Sequence, residues 1–198
     1  VDALDAAFYA SFGNVNPAGK RALLGIDVSY SMDSPTSHGV TAREMAAAMS
    51  LVTMKTEPDV SAIGFTGGGA GYYSWDRATV RPLDLSPRRR LDDIIRYMRS
   101  LPFGRTDCAL PMLWAMANKI DVDTFIVMTD NETWAGKIHP FQALKQYREK
   151  TGIDAKLIVA GFTATDFTIA DPSDPGMLDV VGTDSAIPNL IADFSAGR

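Results

Sequence analysis

The amino-acid sequence predicts a three-layer α/β sandwich, Rossmann-like and doubly wound, with helices on both faces of a mostly parallel sheet. Three observations predict it. Short apolar runs without alternation, "RALLGIDV" at 21–28, "TFIVMT" at 124–129 and "AKLIVAG" at 155–161, read as strands buried on both faces. Longer segments with apolar residues at helical spacing separate the strands, as parallel pairing requires of its crossovers. Finally, 198 residues with 46% hydrophobic content can bury one sizeable core.

Taken in order, residues 1–20 read as a lead-in helix and linker, and 21–198 as the domain. Because it starts at Val1 within a helical pattern, the chain is expected to be a piece of a longer protein. After the first strand, "TAREMAAAMSLVTMKT" opens with Thr41 and Glu44 spaced as a capping box and sets Met45, Ala48, Met49 and Val52 on one face. "VSAIGF" at 60–65 is the second strand. "RATVRPLDL" at 77–85 is the third, assigned to a sheet edge because Pro82 has no N–H to give a ladder. Between them, the glycines of "TGGGAGYYSWD" lack the lysine and following helix of a phosphate loop and read as a hairpin connection.

"SPRRRLDDIIRYMRSLP" is expected to begin a helix with Ser86 as N-cap and Pro87 at its first position, and Leu91, Ile94, Ile95, Met98 and Leu101 facing inward. Its other face carries Arg89, Arg90, Arg96 and Arg99 beside Asp92 and Asp93, a pattern more typical of a solvated face than of a phosphate site. Helices over 108–118 and from about 139 to 150 follow, the second ended by Gly152. The turn-rich C-terminal third is expected to add one edge strand and a last helix.

Composition narrows the function. No stretch approaches the roughly 20 apolar residues of a membrane span, and the N-terminal segment lacks a signal-peptide pattern, so no membrane role is expected. A formal net charge of −5 argues against broad attraction to nucleic acid while leaving room for a local basic patch. The one cysteine, Cys108, excludes an internal disulfide or a Cys-rich zinc site and suits a reducing compartment, so a cytoplasmic location is expected. Cys108 itself reads as a small buried side chain, not a reactive thiol. Trp75, Trp114 and Trp134 read as packing residues, Trp134 being the one nearest a candidate site.

That site lies where α/β sheets collect ligands, at the carboxyl ends of the strands beside the switch in strand order. "GIDVSYSMDS" at 25–34 sets Asp27, Ser29 and Ser31 at the end of the first strand and in the loop after it. Thr106 and Asp107 precede the 108–118 helix, and Asp130, Asn131 and Glu132 follow the fourth strand. Strands one and four are neighbours in the usual doubly wound order, so the three loops should converge. Their oxygens are hard ligands, the only histidines, His38 and His139, lie elsewhere, and hydroxyls with few carboxylates suit Mg²⁺ or Mn²⁺ better than zinc or copper.

Singly, each residue has a structural reading. Asp27 and Ser29 can cap the next helix, Thr106 or Asp107 the third, and Asp130 a turn. Asn131 and Glu132 can orient metal ligands through hydrogen bonds or simply cap their loop. Phosphoryl transfer through an Asp27 nucleophile is disfavoured, because Ser29 stands where such a phosphatase has its acid/base carboxylate. A Ser-His-Asp hydrolase is disfavoured because neither histidine has an evident route to Ser29 or Ser31.

Together, "DxSxS" at 27–31, "TD" at 106–107 and "TD" at 129–130 resemble the metal-ion-dependent adhesion site of von Willebrand factor type A domains. The resemblance implies that fold, with Ser29 and Ser31 as direct ligands, Thr106 as a ligand in the partner-engaged arrangement, and Asp27 and Asp130 acting largely through water. It implies binding and no enzyme activity: an ion poor in charged ligands attracts a carboxylate or phosphate oxygen from a partner. The segments "NPAGKRALLGIDVSYSM", "GRTDCALPMLWA", "DVDTFIVMTDNETWAGKIHPFQALKQYR" and "AKLIVAGFTATDFTIADPSDPGMLDVVG" further resemble the type A domain of the Ro ribonucleoprotein family. Small departures from its animal members, the glycine-rich hairpin among them, point to a bacterial homologue.

Members of that family bind small noncoding Y RNAs and the ends of misfolded RNAs in RNA quality control. The resemblance assigns most of this binding to a ring of helical repeats, the TROVE module, which this α/β pattern does not contain. It implies for this chain a metal-centred surface that engages an acidic group of a protein partner or an RNA phosphate, with noncoding RNA bound through the full-length protein. The alternative is a type A adhesion or scaffold domain that captures an acidic residue of a protein partner and has no link to RNA.

Overall fold

Residues 2–36, 39–67, 79–101, 106–130, 136–163 and 169–198 are described by the structure, a computed structural model. The strands are β1 (Arg21–Asp27), β2 (Asp59–Thr66), β3 (Thr79–Pro82), β4 (Thr124–Thr129), β5 (Lys156–Gly161) and β6 (Met177–Val181). They form one sheet in the order β3-β2-β1-β4-β5-β6. All neighbours are parallel except β2 and β3. The helices are α1 (Asp2–Ser11), α2 (Ala42–Thr56), α3 (Leu91–Arg99), α4 (Leu110–Asn118), α5 (Pro140–Thr151) and α6 (Ile187–Ala196). Among the described residues no helix is long and apolar enough to cross a membrane.

The predicted fold class is the observed one, and the central strands explain it. Along β1 and β4 the side chains divide between two cores: Leu24, Ile26, Ile126 and Met128 pack with α2, α3 and α6, while Leu23, Phe125 and Val127 pack with α4 and α5. A strand buried on both faces must be apolar at every position, which is why these runs do not alternate. The chain builds β2 and β3 on one side of β1 and returns to add β4 on the other, so the switch in strand order falls between β1 and β4. Pro82 does lie on an edge strand, and Thr66 stands opposite Thr79 as in a hairpin. The glycine-rich connection and Trp75 lie outside the described residues.

Local signals hold in most places. Thr41 and Glu44 form the capping box of α2. Gly152, at φ +73°, ends α5 in the left-handed conformation that favours glycine. The N-cap of α5 is His139, whose ring nitrogen accepts from the Phe141 N–H while Gln142 answers its backbone N–H at 3.0 Å. β6 and α6 supply the expected edge strand and last helix. Phe12 of the lead-in segment is buried in the core, and the Leu91 N–H donates to the Tyr9 hydroxyl at 3.2 Å.

Two expectations need correction. The helix expected from Ser86 begins at Leu91, because residues 86–89 close a turn: Ser86 Oγ accepts from the Arg88 N–H and its carbonyl from the Arg89 N–H. Arg90, extended at ψ 151°, separates that turn from the helix. The buried face of α3 is otherwise as read, and its charged face is solvated. Second, α2 is covered on most of its circumference: Met45 and Ala48 are only half-buried, while Ala46, Ala47, Ser50 and Leu51 are fully enclosed. Ser50 and Thr53 tolerate burial because their hydroxyls donate to the carbonyls of Ala46 and Met49.

Gly25 controls how closely α4 approaches the sheet. A Cβ there would stand 2.5 Å from Cγ of Pro111 in the first turn of α4. Gly25→Ala is expected to lower unfolding free energy by about 1–3 kcal/mol in urea titrations, because neither a central strand nor a helix start can yield without repacking. At the opposite end of the sheet, the carboxylate of Asp123 accepts from the Arg21 backbone N–H and guanidinium. The guanidinium holds Asp123 below the usual carboxylate range. A depressed folded-state value contributes stability above the unfolded pKa and loses it as pH falls through the folded one. Asp123→Asn should therefore cost about 1 kcal/mol at pH 7, a figure discounted for solvent screening, and progressively less below pH 4.

Candidate metal centre

β1 ends in a buried carboxylate that the surrounding loops converge upon. Asp27 Oδ1 accepts from the Ser29 N–H at 2.8 Å, and Oδ2 accepts from the hydroxyls of Thr106 at 3.0 Å and Thr129 at 2.9 Å. These bonds join the β1 loop, the segment before α4 and the end of β4 at a single side chain. Ser29 Oγ and Ser31 Oγ lie 3.0 Å apart. Asp130 follows Thr129 directly; the Thr129 hydroxyl reaches its Oδ1 at 3.4 Å and the Thr163 hydroxyl donates to its carbonyl. Asp27, Ser29, Thr106 and Asp130 are buried and Ser31 half-buried.

The β1 loop is held from below by Arg43. This fully enclosed arginine of α2 donates through Nη2 to the Ser29 carbonyl at 3.0 Å and through Nε to Asp33 Oδ1 at 2.8 Å. It therefore pins both ends of the 3₁₀ turn Tyr30–Asp33, whose Met32 is buried in the core. A signal for it exists in the sequence: Arg43 shares a helical face with Ala46, Ala47 and Ser50, where a charge must reach a partner at the helix end. Thr129 was legible only as part of the "TD" pair, and Thr163 carried no signal.

Asp107 does not join the group. Its Oδ1 accepts from the Ala109 N–H at 3.0 Å and shapes the turn leading into α4, whose N-cap is Ala109. A Cβ on Gly136 would stand 2.5 Å from that carboxylate, so the end of the loop after β4 is packed directly on it. Asn131, Glu132 and Trp134 lie outside the described residues, as does His38. Cys108 is buried, and Trp114 packs half-buried against the α4–α5 core.

Burial pushes the Asp27 carboxyl up to about 6, with the nearby Asp130 charge adding to the rise and the Ser29 and Thr129 hydrogen bonds opposing it. Burial and the neighbouring Asp130 charge both disfavour the ionised form of Asp27, a situation that a bound cation relieves. The donor set fits a small hard ion. Octahedral Mg²⁺ at 2.0–2.1 Å from its ligands would need adjacent oxygens about 2.9 Å apart, close to the 3.0 Å between the two serine hydroxyls. Among the described residues no three His, Cys, Asp or Glu side chains gather, so what these residues offer an ion is hydroxyls and two carboxylates. Asp27 suits an outer position because its two oxygens already take three protein donors.

A family model described as the Ro60 vWA domain matches residues 21–195. Across its whole length the chain is 50% identical to RNA-binding protein RO60 of Deinococcus radiodurans and 46% identical to RNA-binding protein RO60 of Caenorhabditis elegans. It spans 36% and 29% of those proteins, about a third of each. The crystal structure of the Deinococcus radiodurans Ro (RSR) protein matches 99% of this chain and 38% of that one, with a TM-score of 0.86 at 48% identity. Manganese-loaded Plasmodium vivax TRAP protein, 14% identical, shares the fold alone, with a TM-score of 0.53 over 91% of this chain and 75% of that one. With half of its residues shared across its full length, the chain belongs to the Ro60 family of von Willebrand factor type A domains.

Proposed function

We propose that this chain is the divalent-cation-binding interaction domain of a Ro-type RNA-binding protein of the cytoplasm, and that it works by holding a partner's oxygen, without turnover. The observation that carries the reading is the convergence of Asp27, Ser29, Thr106 and Asp130, all buried, with Ser31 within 3.0 Å of Ser29. Ser29 and Ser31 are the direct ligands, joined by Thr106 when a partner is engaged. Asp27 and Asp130 act through water and supply the negative charge. Bound Mg²⁺ or Mn²⁺ supplies an electrophile of low ligand charge, open to a carboxylate or phosphate oxygen. Arg43 keeps the serine loop in register for that ion.

The curated relatives are named RNA-binding proteins and not enzymes, which favours an RNA phosphate as the incoming oxygen and supports a non-enzymatic role. Selection among noncoding RNAs belongs in this reading to the rest of a longer protein. The chain is titrated with Mn²⁺ and Mg²⁺, alone, with a short single-stranded RNA, and with an acidic peptide. Ser29→Ala should weaken Mn²⁺ binding at least tenfold while leaving the circular dichroism spectrum unchanged. RNA affinity that rises with Mn²⁺ identifies a phosphate ligand, and peptide affinity that does so identifies a carboxylate. Absence of Mn²⁺ or Mg²⁺ binding at millimolar concentration overturns the proposal.

A second prediction concerns the cost of the site. Since the folded-state value of Asp27 is raised, its protonated form favours folding, and that stability is lost as pH rises from about 4 through 6. The gross effect is on the order of 3 kcal/mol for a shift of this size. Asp27→Asn keeps the shape, and the rotatable hydroxyls of Thr106 and Thr129 can accept from the new amide. In EDTA at pH 7 the variant should melt at the wild-type temperature or higher, yet lose Mn²⁺ binding. A variant that still binds Mn²⁺ with wild-type affinity would remove Asp27 from the site.

A further inference from the structure

We infer that the end of β3 and the turn between it and α3 form a second contact for RNA phosphates, independent of the proposed metal centre. The inference rests on the reading of this chain as part of an RNA-binding protein. Residues 81–99 hold six arginines, no lysine and three aspartates, a local excess of three positive charges in a chain of net charge −5. The structure shows how that excess is distributed. Arg96 is bonded to Asp92 and Asp93, Arg99 to Glu44 of α2, and Arg89 to Asp84. Arg90 shares Asp92 at 3.3 Å. Arg81 and Arg88 are exposed, and among the described residues neither side chain has an acidic partner.

So the acidic residues neutralise the helix, and the unanswered charge is left on the strand and turn before it. Those positions are well held. Arg81 lies on β3 opposite Gly64, the Leu83 N–H donates to the Ala62 carbonyl, and residues 86–89 close the turn that carries Arg88. Pro82 and Pro87 restrict the backbone further, which lowers the entropy lost when the arginines engage a ligand. The Arg89 guanidinium lies over the Tyr97 ring, 5.3 Å from its centroid, flanking the same turn. Arginine in place of lysine suits phosphate, because its planar fork donates two parallel hydrogen bonds and sheds water readily. Two exposed, uncompensated arginines on one strand-and-turn segment fit a polyanion's backbone, read by charge and not by sequence.

The test uses the 198-residue chain, a labelled single-stranded RNA of mixed sequence, and salt from about 50 to 200 mM in EDTA. Arg81→Glu/Arg88→Glu should bind at least tenfold more weakly at the low end. The slope of log affinity against log salt should fall by about 1.4, since each phosphate contact to a single strand contributes roughly 0.7. Lys145→Glu/Lys150→Glu, on the exposed face of α5 across the sheet, makes the same change in net charge and should leave the slope unchanged. Equal losses in both double variants, or none in the first, overturn the inference, as does a wild-type chain that binds no RNA. A polyglutamate peptide that displaces the RNA at equal charge concentration also overturns it, by showing a protein-directed surface. None of these outcomes touches the Mn²⁺ titration of Ser29→Ala, so failure here is distinguishable from failure of the metal reading.

Discussion

The carboxylate of Asp27, buried at the end of β1, accepts three hydrogen bonds that tie the β1 loop, the approach to α4 and the end of β4 into one unit. The position is expensive, since burial and the Asp130 charge both disfavour ionisation. A fold optimised only for stability would place a neutral amide there. An ionised carboxylate surrounded by hydroxyls is instead the environment in which a hard cation binds well, and stability given up at such a position commonly marks a function.

What surrounds Asp27 exists to hold it. Gly25, two residues earlier on the same strand, lets Pro111 of α4 sit against β1, which brings the segment carrying Thr106 over the strand end. Arg43 reaches up from the first turn of α2 and fastens the serine loop at both ends. Gly136 allows the chain after β4 to close on Asp107, whose own bond to Ala109 shapes the turn into α4. These contacts come from both faces of the sheet, so the loop cluster draws on both cores for its rigidity.

The chain belongs to the Ro60 type A family and spans about a third of the length of its curated relatives. The overall acidity of the chain and the arginine-rich turn after β3 are compatible on physical grounds. Electrostatic attraction to phosphate depends on local charge within about a Debye length, roughly 8–10 Å in physiological salt, so a basic turn can act on an acidic domain. The loops around Asp27 and this turn belong to different parts of the fold and can be altered independently.

The sequence by itself determined the layers, the identity of nearly every strand and helix, and the polar residues that meet at the end of β1. Unbroken apolar runs admit no surface strand, capping residues mark helix starts, and polar residues at strand ends beside the switch in strand order face the neighbouring loops. It was less informative about α2, whose small residues at 46, 47 and 50 hide a helix enclosed on most sides, and about Ser86, whose proline signature serves a turn and a helix start equally well. Only tertiary structure decided that Thr129 and Thr163 brace the two aspartates, that Asp107 bonds the turn before α4 instead of joining them, and that Arg43 anchors the serine loop. Each of those roles is a contact between segments far apart in the chain, set by strand order and helix packing, and periodicity along the sequence carries no record of such distances.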